Sequence, residues 1–179
     1  GLKYEVTLAQ TAGRAVLRMA SADVLPFDFT HLYTTINGYA DELEKLLNDS
    51  RKSTQIENEL IATNAYSIAE DPTKNLIVPK AKPEVPYLDF SPLQNALATL
   101  KKGTDSLQIA YQANINDKKA SPNFNQSLYR AEQQLLNKDG LPRRDWYKHT
   151  MYAPGFYTGY GVKTMPGIRE AIEQRNWKE

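Results

Sequence analysis

Prolines at 72, 79, 83 and 86 punctuate the stretch from residue 71 to 89, and no continuous helix can run through it. Each proline lacks the N–H of the helical ladder and pushes the residue before it out of the helical region. The chain on either side has the opposite character. Leu32, Ile36, Tyr39, Leu43 and Leu46 recur at steps of 4, 3, 4 and 3, which predicts an amphipathic helix over about 29–49. Leu93, Leu97, Leu100, Leu107 and Tyr111 keep heptad spacing, with Thr104 at the missing step, and Ser91-Pro92 makes a good helix start. Val6, Ala9, Gly13, Val16, Leu17 and Ala20 form the stripe of a helix over 5–22, which Pro26 brings to a stop. A weaker helix is expected over 54–69. Another is expected over 123–137, with Gly140 as its left-handed cap, and a last one is capped by Thr164 and carries Ile168, Ala171 and Ile172. Residues 141–163 read as irregular. The expected fold is therefore all-α: a bundle of about four to five antiparallel helices, with a long proline-rich crossover (71–89) and an irregular loop before the last helix. The whole of 1–179 reads as a single domain.

Composition excludes several function classes. A net charge of +1 gives no field of the kind that nucleic acid or an acidic membrane surface selects, so neither is an expected partner. There is no cysteine, hence no disulfide framework, thiolate metal site or cysteine nucleophile. No apolar run approaches 18 residues. Gly1 opens the chain without a Met, which reads as a fragment of something longer. Two sequons, Asn48-Asp49-Ser50 and Asn125-Gln126-Ser127, are glycan candidates on a secretory route. So short a pattern also arises by chance, and Asn125 can equally be a polar first-turn residue.

A zinc site needs three or four converging ligands, and only His31 and His149 are available, in no metal-binding spacing. No G-x-S-x-G, Walker or dinucleotide pattern occurs. Asp41-Glu42 and Lys45 read as a solvated helix face, and His31 as a surface or cap-region residue. His149, between Trp146-Tyr147-Lys148 and Met151-Tyr152-Ala153-Pro154, reads as a ring that fixes an irregular loop through backbone hydrogen bonds rather than as a catalyst. No catalytic or metal-binding residue is assigned to the chain.

Several segments in order carry a resemblance. They are Lys3-Tyr4, Ala9-Gln10, Val24-Leu25-Pro26-Phe27-Asp28 and Tyr39-Ala40-Asp41, then the helix from Phe90 to Gln112. Asp139-Gly140-Leu141-Pro142-Arg143-Arg144, Trp146-Tyr147-Lys148-His149, Tyr152-Ala153-Pro154 and Pro166-Gly167-Ile168 follow. Together they resemble the transferrin receptor-like dimerisation domain, the C-terminal helical domain of glutamate carboxypeptidase II-like (folate hydrolase-like) zinc peptidases. The stretch of roughly 55–88 departs from the family. The resemblance implies a homodimer that also contacts the protease and apical domains of a parent chain. It implies zinc in an absent protease domain, no activity for this chain alone and no direct membrane contact. It further implies residence in the ectodomain of a type II membrane protein, in an extracellular, secretory-pathway or vacuolar lumen. It also implies one more apolar helix after Glu179. Helix one and the last helices are candidate contacts with the twin or the protease domain. The small residues Ala9, Ala12, Gly13 and Ala15 suit close helix approach or an ordinary core equally well.

In the peptidases of this family the segment after Tyr-Ala-Pro folds over the substrate pocket, where a lysine–tyrosine pair holds the terminal glutamate carboxylate. Counting back from Pro166-Gly167-Ile168, the tyrosine falls on Tyr160 and the lysine on Gly159. Losing the ammonium removes a charge-assisted hydrogen bond worth roughly 1.5–3 kcal/mol. Lys163 is the nearest replacement, and Tyr160 reads equally well as a packing residue. A receptor-type protein-binding role ranks last, because the chain has no Arg-Gly-Asp stretch.

Overall fold

The computed structural model describes residues 2–68, 71, 73, 77–117 and 122–179. Pro72 of the expected crossover and Ala69 at the end of the expected third helix lie outside the described residues. The described chain is helical apart from one two-stranded hairpin. No helix among these residues is long and apolar enough to cross a membrane. The chain divides into two compact units, residues 1–35 with 96–136 and residues 36–95 with 137–179. Two long helices, α2 (Phe29–Ala62) and α4 (Ser91–Asp117), contribute to both.

In the first unit, α1 (Lys3–Ala20) buries no residue. The stripe from Val6 to Ala20, which suits a core or a close partner helix equally well, is exposed in this chain. In α4 the heptad positions Leu97, Thr104 and Tyr111 are buried, as the spacing requires. The hydroxyl of Thr104 donates to the Lys101 carbonyl at 2.9 Å, so its polar group is satisfied within the helix. One turn apart on the surface, Lys101 donates to Asp105 at 2.8 Å, and that hydrogen bond raises the lysine's pKa. Helix α5 (Pro122–Arg130) buries Leu128 and passes into a 3-10 helix, Ala131–Leu135. The expected helix over 123–137 therefore tightens and stops earlier, as helix ends commonly do. Asn125 brackets the 23–25 loop: its Oδ1 accepts from Leu25 N–H and its Nδ2 donates to the Asp23 carbonyl, both at 2.9 Å.

In the second unit, α2 runs straight through the boundary expected near residue 49. Asn48 to Ser53 are polar but contain no glycine or proline. The Thr54 hydroxyl bonds back to the Ser50 carbonyl at 2.7 Å, and Arg51 to Asn48 at 2.8 Å, both within the helix. The helix ends at Ala62, and Asn64 takes the left-handed conformation (φ 58°) just before a one-turn helix, α3 (Ala65–Ile68). Ile36, Ala40, Leu43 and Leu47 form the buried stripe of α2. Residues 82–86 of the crossover are pinned to α2. Asn58 exchanges two hydrogen bonds with Lys82 (2.8 and 2.9 Å), Arg51 donates to the Pro86 carbonyl (3.0 Å), and Val85 is buried. Asp89 accepts the N–H of Ser91 at 2.9 Å, so the carboxylate two residues upstream caps α4.

Candidate functional site

The segment expected to be irregular, 141–163, folds into an ordered platform. Its first part closes on itself: Asn137 N–H donates to the Lys148 carbonyl and Leu141 N–H to the Tyr147 carbonyl, each at 2.8 Å. Gly140 sits inside this loop and does not cap a helix. Its φ is +77°, and a β-carbon there would lie 2.2 Å from the Asp145 carbonyl oxygen. Only glycine meets both conditions.

The second part is an antiparallel hairpin, β1 (Tyr152–Pro154) paired with β2 (Val162–Thr164), in the register Tyr152↔Thr164, Ala153↔Lys163 and Pro154↔Val162. Its loop is tightened by Gly155 N–H donating to the Gly161 carbonyl (2.9 Å) and by Gly159 at φ +61°. The hairpin leads into α6 (Pro166–Gln174), which begins after Met165 at φ 45°. Thr164 does not cap this helix. Arg169 engages both its carbonyl (3.0 Å) and its hydroxyl (2.7 Å) and reaches Glu42 at 2.6 Å. Glu42 thus has an ion-pair partner, although it remains largely exposed.

The brace beneath the hairpin is a buried ion pair. Arg144 and Glu170 are 3% and 4% exposed, and their charged groups meet at 2.7 Å. Arg144 also donates to the Pro154 carbonyl, and the second Glu170 oxygen accepts the N–H of Phe156 at 2.8 Å. The pair therefore grips the chain on both sides of Gly155. The guanidinium of Arg143 lies 4.7 Å from the Phe156 ring centre. His149 accepts the N–H groups of Met151 (3.3 Å) and Tyr152 (3.4 Å) at Nδ1, and its ring lies 4.0 Å from that of Tyr152. Pro154 ends β1, Pro166 is fully buried at the first turn of α6, and Gly167 follows it.

What this platform presents is a tip of exposed aromatics. Tyr160 is fully exposed and Tyr157 is 77% exposed. Gly159 brings no charge, and Lys163 is already committed, its Nζ lying 2.7 and 3.0 Å from the two Glu173 oxygens. A substrate carboxylate would have to compete with Glu173 for that ammonium. Arg144 lies within the Asp139–Arg144 motif, but its pairing with Glu170 does not follow from that motif. The available signal was a carboxylate one turn beyond Pro166, within a short amphipathic helix, where burial demands a partner. Of the two sequons, Asn48 is on an exposed position of α2, whereas the Asn125 carboxamide is engaged at both of its ends.

Residues 88–179 match the family of transferrin receptor-like dimerisation domains. The chain is also 29% identical over 168 residues to a protein of Arabidopsis thaliana described as a "probable glutamate carboxypeptidase", covering 94% of this chain and 19% of that protein. It is 25% identical over 180 residues to a protein of Arthroderma benhamiae with the same description, covering 98% of this chain and 20% of that one. The chain thus spans about a fifth of the length of these curated relatives. The match begins at the end of the crossover and takes in α4, α5, the braced hairpin and α6, so the chain belongs to the transferrin receptor-like dimerisation domain family.

Proposed function

We propose that the chain is the self-association and interaction domain of a glutamate carboxypeptidase-like zinc peptidase and is not catalytic by itself. The observation that carries this reading is that the family match falls on a segment built to present a surface, the hairpin on its buried Arg144–Glu170 brace. Among the described residues no three His, Cys, Asp or Glu side chains converge to hold a metal. In this reading the zinc belongs to the protease domain of the longer protein, and the whole sits in a type II membrane protein's ectodomain, in an extracellular, secretory or vacuolar lumen. Sedimentation equilibrium over a concentration range tests self-association: a dimer is expected, and a monomer at all concentrations overturns the reading. On a secretory route, glycosidase treatment should shift the mass of material carrying Asn48 and leave an Asn48→Gln variant unchanged, because the Asn125 carboxamide is occupied.

A second reading is favoured by the full exposure of Tyr160 at the tip of a braced hairpin. Here the tip completes the substrate pocket of the longer protein. In that longer protein, Tyr160→Phe should then lower kcat/KM by roughly 10-fold or more, the loss of one hydrogen bond to a charged group. Unchanged cleavage would leave the hairpin a structural role only.

A further inference from the structure

A polar cleft lies between α2 and the end of the crossover, apart from the hairpin platform. Glu44, Asn48, Arg51, Tyr87, Asp89 and Gln94 line it, and its volume is about 200 Å³. A site for a drug-sized ligand holds roughly 300–1,000 Å³, so this cleft suits about one ring. Its lining is that of a sugar site. Carboxylates, amides and a guanidinium pair with hydroxyl groups, and an exposed aromatic ring offers a flat apolar face. Tyr87 is that ring, at 84% exposed. Glu44 accepts from Gln94 at 2.7 Å, and Asp89 accepts the Ser91 N–H at 2.9 Å, so both carboxylates are held in place. An anionic ligand would meet both of them, which leaves a neutral polyhydroxylated ring as the better fit.

The sequon supplies the occupant. Asn48 opens Asn48-Asp49-Ser50 from an exposed position of α2 and is itself part of the lining. Its Oδ1 accepts from Arg51 at 2.8 Å, and the same guanidinium donates to the Pro86 carbonyl at 3.0 Å, one residue before Tyr87. This chain of bonds ties the asparagine to the segment that carries the ring. A glycan is carried on Nδ2, so the bond to Oδ1 survives its addition. We propose that Asn48 carries an N-linked glycan whose first N-acetylglucosamine occupies this cleft, stacked on Tyr87 with its polar groups paired to Glu44, Asp89 and Gln94. The sugar then fastens the end of the crossover to α2. The donor is a lipid-pyrophosphate-linked oligosaccharide. The Nδ2–C1 bond forms, the C1–O bond to pyrophosphate breaks, one amide proton is lost, and the lipid pyrophosphate leaves. This rests on the reading that the parent protein enters a secretory lumen, but not on its self-association or activity.

The test uses the full-length protein made in a eukaryotic secretory host that adds high-mannose glycans. Endoglycosidase H trims the glycan to its first N-acetylglucosamine, whereas peptide N-glycosidase F removes it entirely. Chymotryptic cleavage after Tyr87, followed by mass spectrometry, reports whether that ring is covered. The intact and the single-sugar forms should be cut at the same rate. The fully deglycosylated form should be cut about 5-fold faster or more, as a segment that opens more readily. An Asn48→Gln variant from the same host should match it, which separates loss of the sugar from the charge that full removal leaves at Asn48. Hydrogen exchange of the 87–91 amides gives the same comparison without a protease, and a glycosylated Tyr87→Ala variant should lose the protection there. Equal rates in all forms overturn the inference. Protection lost on trimming to one sugar also overturns it and assigns the shielding to the outer branches. An unoccupied Asn48 in secreted protein overturns it and leaves the location reading standing, whereas protein that never enters the secretory route sinks both. A monomeric glycoprotein with Tyr87 protected would sink the self-association reading and leave this one standing.

Discussion

Helix α1 and the platform of residues 137–174 are the two regions of this chain most decorated with exposed apolar groups, and they are built in opposite ways. The platform is tied internally: a buried ion pair, a glycine that tolerates no side chain, and backbone bonds that close each turn. What it exposes, Tyr157 and Tyr160, stands on a fixed base. Helix α1 has regular backbone bonds and no buried side chain. One region is ordered by its own residues and offers a small surface. The other is ordered by its own helical backbone and leaves its side chains exposed. Exposure alone therefore does not say what a face is for, whereas the wiring behind it does.

The difference predicts a graded set of mutational effects in the isolated chain. The largest belongs to the brace. Glu170→Ala leaves Arg144 buried and unpaired and should cost about 3–5 kcal/mol, read as a fall in the urea midpoint. An Arg144→Leu/Glu170→Leu double variant should recover much of that loss, because the cost lies in the orphaned charge. Leu43→Ala, in the buried stripe of α2, should cost about 2–5 kcal/mol, while Leu8→Ala in α1 should stay within about 0.5 kcal/mol. Equal costs at the two leucines would break the contrast between the regions. Gly140→Ala comes next, at about 1–3 kcal/mol from its left-handed backbone and its approach to Asp145. Lys163→Ala, which frees a half-exposed Glu173, should cost less than about 1 kcal/mol. The smallest effect is a pH dependence. Hydrogen bonds from the Ser91 hydroxyl and N–H hold the Asp89 carboxyl below its ordinary value. Its contribution is therefore present above about pH 4 and lost as the pH falls through the depressed folded value. Asp89→Asn should flatten the acid limb of the stability curve in that window.

Much of the helical fold was legible because periodicity records which side chains must leave water. Leu97, Thr104 and Tyr111 of α4 and Ile36 and Leu43 of α2 turn up buried where their spacing puts them, whereas Leu32, Tyr39 and Leu46 are half-buried and Ala40 and Leu47 take the deepest positions beside them. Two kinds of feature were not legible. Periodicity gives a stripe but not its cover, so the stripe of α1 suited a core or a partner equally, and here it is exposed along its length. Long-range polar pairing leaves only a faint local trace, here a carboxylate on a short amphipathic helix, so the 141–163 segment looked irregular although Arg144 and Glu170, 26 residues apart, organise it. Boundaries failed for smaller reasons. A polar run without glycine or proline does not end α2, and Gly140 serves a tight turn rather than a helix cap.

The proposal most open to test is that the chain self-associates through its family-matched part and not through α1. Sedimentation equilibrium of the chain beside a Leu8→Ser/Leu17→Ser variant tests it most directly. The account predicts a dimer in both, with dissociation constants that agree within about threefold, since surface changes away from an interface shift free energies by roughly 0.5 kcal/mol or less. A variant that falls to monomer while the parent sequence dimerises would place the twin on α1 and contradict the account.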